Sequence, residues 1–113
     1  IALQVGYVLD AMRPGFASPL RSLKVDGGAA RNELLMRIQA ALLGLPLERP
    51  PLTENTALGA ACLAGLGAGL WPDTDSLRTH WQPTRRIAPD ELPLDTTRLR
   101  TQWQAAVSRA KGW

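Results

Sequence analysis

The spacing of apolar residues changes along the chain, and each change marks a predicted element. The first apolar residues recur at positions i, i+4, i+7, i+8 and i+11: Ile1, Val5, Val8, Leu9 and Met12. This period predicts an amphipathic helix. Because the residue before a proline disfavours helical geometry, the helix should end before Pro14. We therefore expect one face of this helix to lie in the core.

A strand, a tight turn and a second helix are predicted next. Residues 23–25 alternate between apolar and polar, as in a half-buried strand, and the adjacent glycines Gly27 and Gly28 follow them. The expected apolar face of the next helix consists of Leu34, Leu35, Ile38, Ala41 and Leu42. Gly44 stands where a left-handed cap belongs, and residues 45–49 predict a second short strand.

Small and apolar residues occupy nearly every position of a third predicted helix. This helix follows a cap at Asn55 or Thr56. It contains Gly59 and Gly65, each of which costs about 1 kcal/mol of helix propensity relative to alanine. Because small side chains let neighbouring backbones approach closely, we expect this helix to be deeply packed or to lie against a ligand cleft.

The composition changes again near residue 71. Residues 71–95 contain several prolines and many polar groups, and they predict an extended, turn-rich arm anchored by the rings of Trp71 and Trp81. Residues 96–110 return to helical spacing and predict a terminal helix. Its packing face should include Leu99, Trp103, Ala106 and Val107.

Length and charge exclude several classes of function. A chain of 113 residues suffices for one small domain, and its 45% of apolar residues argues against disorder. Lys and Arg exceed Asp and Glu by 13 − 10 = 3 without forming a basic cluster, so no nucleic-acid partner is expected. The apolar run 57–70 is shorter than the roughly twenty residues that span a bilayer, so no membrane association is expected either.

Three single residues bear on the chemistry and the origin of the chain. Cys62 is the only cysteine, so we expect a small buried hydrophobe in a reducing cytoplasm and no internal disulfide. His80 has no second metal-ligating residue at a suitable spacing and is expected to be solvated. Because the chain begins at Ile1, with neither an initiator Met nor a cleavage signal, we expect it to come from the interior of a longer protein.

The two adjacent glycines form the best candidate for a binding site. A backbone without Cβ atoms leaves room for a ligand, and the first turn of a following helix carries unpaired N–H groups and roughly half a positive charge. An anion or nucleotide could bind beside Gly27 and Gly28, where Asn32 offers both a donor and an acceptor. The alternative is a plain strand-to-helix turn without a ligand. Asp26 is expected to orient the turn through its own hydrogen bonds, with a catalytic role as the alternative.

Neither a P-loop nor a dinucleotide-binding glycine motif occurs in the chain. Three stretches instead resemble, in order and spacing, the C-terminal part of the glycerol kinases, a branch of the FGGY carbohydrate kinase family. The stretches are LKVDGGAARNELLMRIQAALLGLPLERP, ENTALGAACLAGLGAGLW and WQAAVSRAKGW. The resemblance implies an α/β fold that is an incomplete part of the second domain of an actin-like (RNase H-like) ATPase. Residues 1–113 would form the C-terminal portion of this nucleotide-binding domain.

The same resemblance implies a nucleotide site and an activity for the parent enzyme. In this family the second glycine of the pair and the asparagine four residues later hold the adenine nucleotide, which here are Gly28 and Asn32, with Gly27 beside them. The parent enzyme would use ATP and Mg²⁺ to phosphorylate glycerol to glycerol 3-phosphate. It would be cytoplasmic, with ATP, ADP and glycerol as ligands, and is expected to be a homo-oligomer.

The catalytic machinery of the family is not expected within this chain. The family's catalytic aspartate, its glycerol-binding residues and its N-terminal phosphate-binding turn all lie upstream of the position of Ile1. No catalytic residue and no metal ligand is therefore assigned here, and the chain alone is predicted to be inactive. The alternatives are another FGGY sugar or polyol kinase and a non-catalytic, actin-like nucleotide-binding module.

Overall fold

The described residues form five α-helices and three short strands. The computed structural model describes residues 1–51, 54–79 and 83–111. The helices are α1 (Ala2–Met12), α2 (Glu33–Leu43), α3 (Asn55–Gly67), α4 (Thr74–Arg78) and α5 (Thr96–Ala110), and the strands are β1 (Leu23–Lys24), β2 (Leu47–Arg49) and β3 (Arg85–Ile87). Short 3-10 turns lie at Arg13–Gly15, Gly28–Arg31 and Pro89–Glu91. The mixed α/β class agrees with the prediction.

The three strands form one sheet in the order β1-β2-β3. β1 and β2 are parallel and are connected through α2, whereas β3 runs antiparallel to β2. Leu23, Leu47 and Ile87 are aligned across the sheet. Leu47 and Ile87 are 0% exposed, so the centre of the core lies on this row.

The buried faces of the first two helices differ from the predicted ones. α1 buries Ala2, Gly6 and Leu9, while the rest of the predicted stripe is half-buried or exposed. A Cβ on Gly6 would lie 3.7 Å from the Leu43 side chain, so small residues allow α1 to approach α2 closely. α2 buries Met36, Gln39, Ala40, Leu42 and Leu43, whereas Leu34 of the predicted face is 61% exposed. The helical period of the apolar residues is as predicted. The period alone does not show which elements pack against each helix, and these elements decide which side is buried.

The expectation that α3 is deeply packed is wrong within the described part of the chain. Gly65 is its one buried residue there, and Leu63 is 71% exposed. The ring of Trp71 lies directly on Gly65. The predicted cap is also wrong, because α3 begins at Asn55 after Glu54 and no side chain caps it.

The stretch from 71 to 95 contains more regular structure than an extended arm. It includes α4 and also β3, which completes the sheet. α5 covers the residues for which a terminal helix was predicted, and Trp103 on it is half-buried. Cys62 is half-buried and so less enclosed than expected. Trp81 and His80 lie outside the described residues.

The chain is elongated for its length. Its radius of gyration is 17.4 Å, whereas a compact chain of this size would have about 13 Å. In addition, β1 has only β2 as a neighbour among the strands described. Both features leave apolar and backbone surface uncovered, and exposed strand edges favour association with other chains.

Substitution of the two glycines of α3 should have opposite effects. A Cβ at Gly65 would lie 2.0 Å from a ring carbon of Trp71, so Gly65→Ala must displace the ring, at a cost of about 1–3 kcal/mol. Gly59→Ala is the matched control, because nothing lies within 4 Å of its Cβ and the helix gains up to about 1 kcal/mol of propensity. Thermal unfolding followed by tryptophan fluorescence measures both. Equal effects would show that Trp71 does not pack as described.

Candidate functional site

The two glycines form an open bend at the end of β1. Gly27 has φ 81° and ψ 174°, which only glycine adopts without strain, and Gly28 starts the 3-10 turn that ends at Arg31. Two backbone hydrogen bonds close the turn, from the Ala30 N–H to the Gly27 carbonyl and from the Asn32 N–H to the Ala29 carbonyl, each 3.1 Å long. Because Ala30 is 2% exposed, the turn is anchored in the core.

The outer side of this bend is free of neighbouring protein atoms. A Cβ built on Gly27 or on Gly28 meets nothing within 4 Å among the described residues. Gly28 has no positive φ, so neither its backbone conformation nor the packing of this chain requires a glycine there. The missing side chain at Gly28 therefore serves no structural purpose within the described residues, and it leaves room for a ligand.

Asn32 lies at the other end of the turn and caps α2. Its Oδ1 accepts a hydrogen bond of 3.0 Å from the Leu35 N–H, which satisfies one of the unpaired donors of the helix. The acceptor is thus occupied, while the Nδ2 group donates to none of the residues that the structure describes. Gly28 and Asn32 flank one exposed turn, as the sequence predicted, although their binding role stays a prediction.

The glycines do not lead directly into the helix that follows them. The 3-10 turn intervenes, so α2 begins only at Glu33. Its first turn already has the Asn32 cap and the carboxylate of Glu33, both of which offset the positive end of the helix dipole. Attraction of an anion by a bare helix end is therefore weaker than expected, and a ligand would depend on the open backbone and on Asn32.

Asp26 connects the bend to α3 instead of orienting its own turn. The Asn55 Nδ2 group donates a hydrogen bond of 2.7 Å to Asp26 Oδ2 across 29 residues of sequence. Lys24, Val25, Asp26, Pro50 and Asn55 line a shallow cavity of about 180 Å³ beside it. The start of α3 thus lies next to the glycine bend, as expected for a helix near a ligand cleft.

An ion-pair cluster lies behind the bend and joins α2, the sheet and the turn Pro89–Glu91. It consists of Glu33, Arg37, Arg49, Arg85 and Glu91. Glu33 is its centre, with Arg49 Nη2 3.2 Å from Oε2, and with Arg85 Nη2 2.9 Å and Arg37 Nε 3.5 Å from Oε1. The cluster was not predicted from the sequence, because its five residues are spread from position 33 to position 91.

The cluster favours the ionised form of both carboxylates. The hydrogen bonds from Arg85 lower the pKa of Glu33 below its ordinary value of 4.5, and the charges of Arg49 and Arg37 lower it further. The pKa of Glu91 is lowered chiefly by the hydrogen bond from the Ala88 N–H, and then by Arg85. Correspondingly, hydrogen bonds to the two carboxylates raise the pKa of Arg85.

Within residues 1–51, 54–79 and 83–111, no three His, Cys, Asp or Glu side chains lie close enough together to hold a metal ion. In the same ranges no helix combines the length and the apolar character needed to cross a membrane.

Comparison with known sequences gives one consistent result. The model of the FGGY family of carbohydrate kinases, C-terminal domain, matches residues 1–68. The chain is 50% identical to a glycerol kinase of Aromatoleum aromaticum over 113 residues, which are 100% of this chain and 23% of that protein. A glycerol kinase of Deinococcus radiodurans is 43% identical with the same coverage. The chain thus spans about a quarter of the length of these relatives.

Solved structures show the same fold. The crystal structure of Plasmodium falciparum glycerol kinase with ADP matches with a TM-score of 0.77 and 26% identity, over 96% of this chain and 22% of that chain. A xylulose kinase from Rhodospirillum rubrum matches with a TM-score of 0.71 and 23% identity over 96% of this chain and 22% of that chain, which bears on the fold alone. The prediction of an incomplete part of this kinase fold is confirmed.

The ion-pair cluster should make folding sensitive to acid. Because the pKa values of Glu33 and Glu91 are lower in the folded chain than their ordinary 4.5, the unfolded chain binds more protons below about pH 5. The free energy of unfolding should therefore be highest above that pH and fall as the pH drops through the folded-state pKa values. Urea unfolding between pH 7 and pH 3 measures this dependence.

The variant Glu33→Gln tests the source of this effect. It should be less stable than the wild type at pH 7, because it loses its ion pairs with Arg49 and Arg85, and its stability should change less between pH 5 and pH 3. An unchanged slope in this variant would assign the acid sensitivity to other carboxylates.

Proposed function

The chain belongs to the FGGY family of carbohydrate kinases, and on that premise we propose that it is the nucleotide-binding C-terminal part of a glycerol kinase. The observation that supports this most is the open face at Gly28, which leads to the exposed amide of Asn32. Two glycerol kinases at 50% and 43% identity over the whole chain support glycerol as the substrate. The ADP named for the Plasmodium structure supports an adenine nucleotide as the ligand.

The proposed reaction is transfer of the γ-phosphoryl group of ATP to glycerol. A hydroxyl oxygen of glycerol forms a bond to the γ-phosphorus, the bond between that phosphorus and the oxygen bridging to the β-phosphate breaks, and ADP leaves. The hydroxyl proton passes to a carboxylate base. We place that base, the glycerol-binding residues and the Mg²⁺ ligands outside residues 1–113, so this chain alone should not turn over.

The residues of this chain would bind and orient the nucleotide. Gly28 would let it approach the backbone, because a side chain at this position would occupy the same space. Asn32 would donate a hydrogen bond from Nδ2 while Oδ1 remains engaged in capping α2. Mg²⁺ would act with the phosphates and screen their charge during the transfer. We further propose a cytoplasmic enzyme that forms a homo-oligomer.

Substrate choice within the family is tested on the full-length protein. A coupled assay of ADP release should show turnover with glycerol and MgATP and much less with xylulose, the substrate class suggested by the xylulose kinase of the same fold. Turnover with xylulose or another polyol but not with glycerol would keep the family and overturn the substrate. Nucleotide binding without release of ADP from any of these substrates would favour a non-catalytic binding module.

The nucleotide site is tested by separating binding from folding. Gly28→Leu should raise the KM for ATP at least about tenfold, which is about 1.4 kcal/mol of binding. The free energy of unfolding should barely change, because nothing surrounds the new side chain in the free chain. Asn32→Ser should also raise this KM, since it removes the amide donor, yet serine keeps the helix cap.

Gly15→Leu is the matched control, because Gly15 also has open space around its Cβ and no positive φ but lies in another turn. Its KM for ATP should equal that of the wild type. If Gly28→Leu has the same KM for ATP as this control, the nucleotide does not bind at the glycine bend.

A further inference from the structure

Arg49 reaches from the end of β2 to the glycine bend. Its Nη1 donates a hydrogen bond of 2.8 Å to the carbonyl of Ala30, and its Nη2 lies 3.2 Å from Glu33 Oε2. The side chain is 20% exposed, so water competes only weakly for these contacts. The Arg49 guanidinium thus contacts Ala30 and Glu33, the residues on either side of Arg31 and Asn32.

The bend needs such support because its own interactions are weak. A 3-10 turn has poorer hydrogen-bond geometry than an α-helix, and glycine loses more conformational entropy on ordering than any other residue. The segment begins with Gly27 and Gly28 and is closed by only two backbone hydrogen bonds. The contact of Arg49 with Ala30 adds a bond to a carbonyl in the middle of the turn.

The position of Arg49 is itself fixed by the sheet. β2 pairs with β1 on one side and with β3 on the other. The carbonyl of Arg49 accepts a hydrogen bond of 3.0 Å from the Thr84 N–H, and Arg49 is aligned with Arg85 of β3, so the backbone at this residue is held against β3. Arg49 therefore connects the most constrained strand of the fold to the bend that carries the candidate nucleotide site.

We propose that Arg49 is a positioning residue for nucleotide binding, which holds the Gly28–Asn32 segment in the conformation that the nucleotide needs. This inference rests on the proposed function, because Arg49 would act through the bend at which the nucleotide is proposed to bind and not through direct contact with the ligand. A planar guanidinium with separate donors reaches the carbonyl and the carboxylate together, and lysine offers only a point charge. Arginine and lysine are therefore not equivalent at position 49.

Binding of ADP to the full-length protein, measured by titration calorimetry, tests the proposal. Arg49→Gln should raise the Kd for ADP about tenfold, well below the hundredfold that a misplacement of about 1 Å can cost. The KM for ATP should rise with it, while kcat and the KM for glycerol should stay close to the wild-type values. Arg49→Lys should recover part of the ADP affinity.

Two further variants separate positioning from general stabilisation. Glu33→Gln removes the ion pair but leaves the bond from Arg49 to the Ala30 carbonyl, so it should lower the Tm and change the Kd for ADP much less than Arg49→Gln does. Arg86→Gln removes an exposed arginine from the neighbouring strand and should change neither quantity. Equal loss of ADP affinity in Glu33→Gln and Arg49→Gln would overturn the proposal.

The outcome for Gly28→Leu separates this inference from the proposed function. If the wild type binds no ADP, or if Gly28→Leu binds it normally, the nucleotide site itself is wrong and the role of Arg49 is overturned with it. If Gly28→Leu weakens ADP binding and Arg49→Gln does not, the site stands and only the positioning role is overturned.

Discussion

The central position of β2 is the constraint on which the rest of the structure depends. Backbone hydrogen bonds of 3.0 Å join it to β1 and to the start of β3, and Leu47 on it is 0% exposed. The same three-residue strand ends at Arg49, whose guanidinium contacts the Ala30 carbonyl. One strand thus organises the hydrophobic core and also fixes the backbone beside Gly28.

The ion-pair cluster behind the bend is a set of individually weak contacts between separate elements. Its side chains are between 20% and 41% exposed, and pairs of this kind contribute about 1 kcal/mol or less each. The members come from α2, β2, β3 and the turn Pro89–Glu91, which are distant in sequence. Their convergence on Glu33 joins the start of α2 to the sheet.

Local rules predicted those features that depend on neighbours in sequence. The order of strand, glycine bend and helix, the left-handed cap at Gly44 and the span of α5 all follow from turn residues and helical period. The open face at Gly28 also followed, because a missing Cβ is a local property. The assignment to the kinase family required the order of three separate motifs.

Features that depend on tertiary neighbours could not be predicted in the same way. Val8 belongs to a correct helical period but is exposed, because α1 buries Ala2 and Gly6 instead, and Leu34 of α2 is exposed as well. β3 has only three residues and lies in a stretch rich in prolines and polar groups. The sequence therefore contains no hydrophobic pattern from which its pairing with β2 could be predicted. The role of Arg49 could not be predicted for the same reason, because its partners Ala30 and Glu33 precede it by up to 19 residues.

The outer faces of α3 and the surface at Gly28 are both uncovered in the described structure, and they differ in chemistry. The outer faces of α3 are apolar, with Leu63 71% exposed, and a helix that is apolar all round is stable only when other protein covers it. This fits the proposed place of the chain within a longer kinase. The surface at Gly28 is different, because its rim carries the polar groups of Asn32 and Asp26. Such a rim favours a polar ligand over an apolar protein face, which is why the bend, and not the larger surface of α3, is the candidate site.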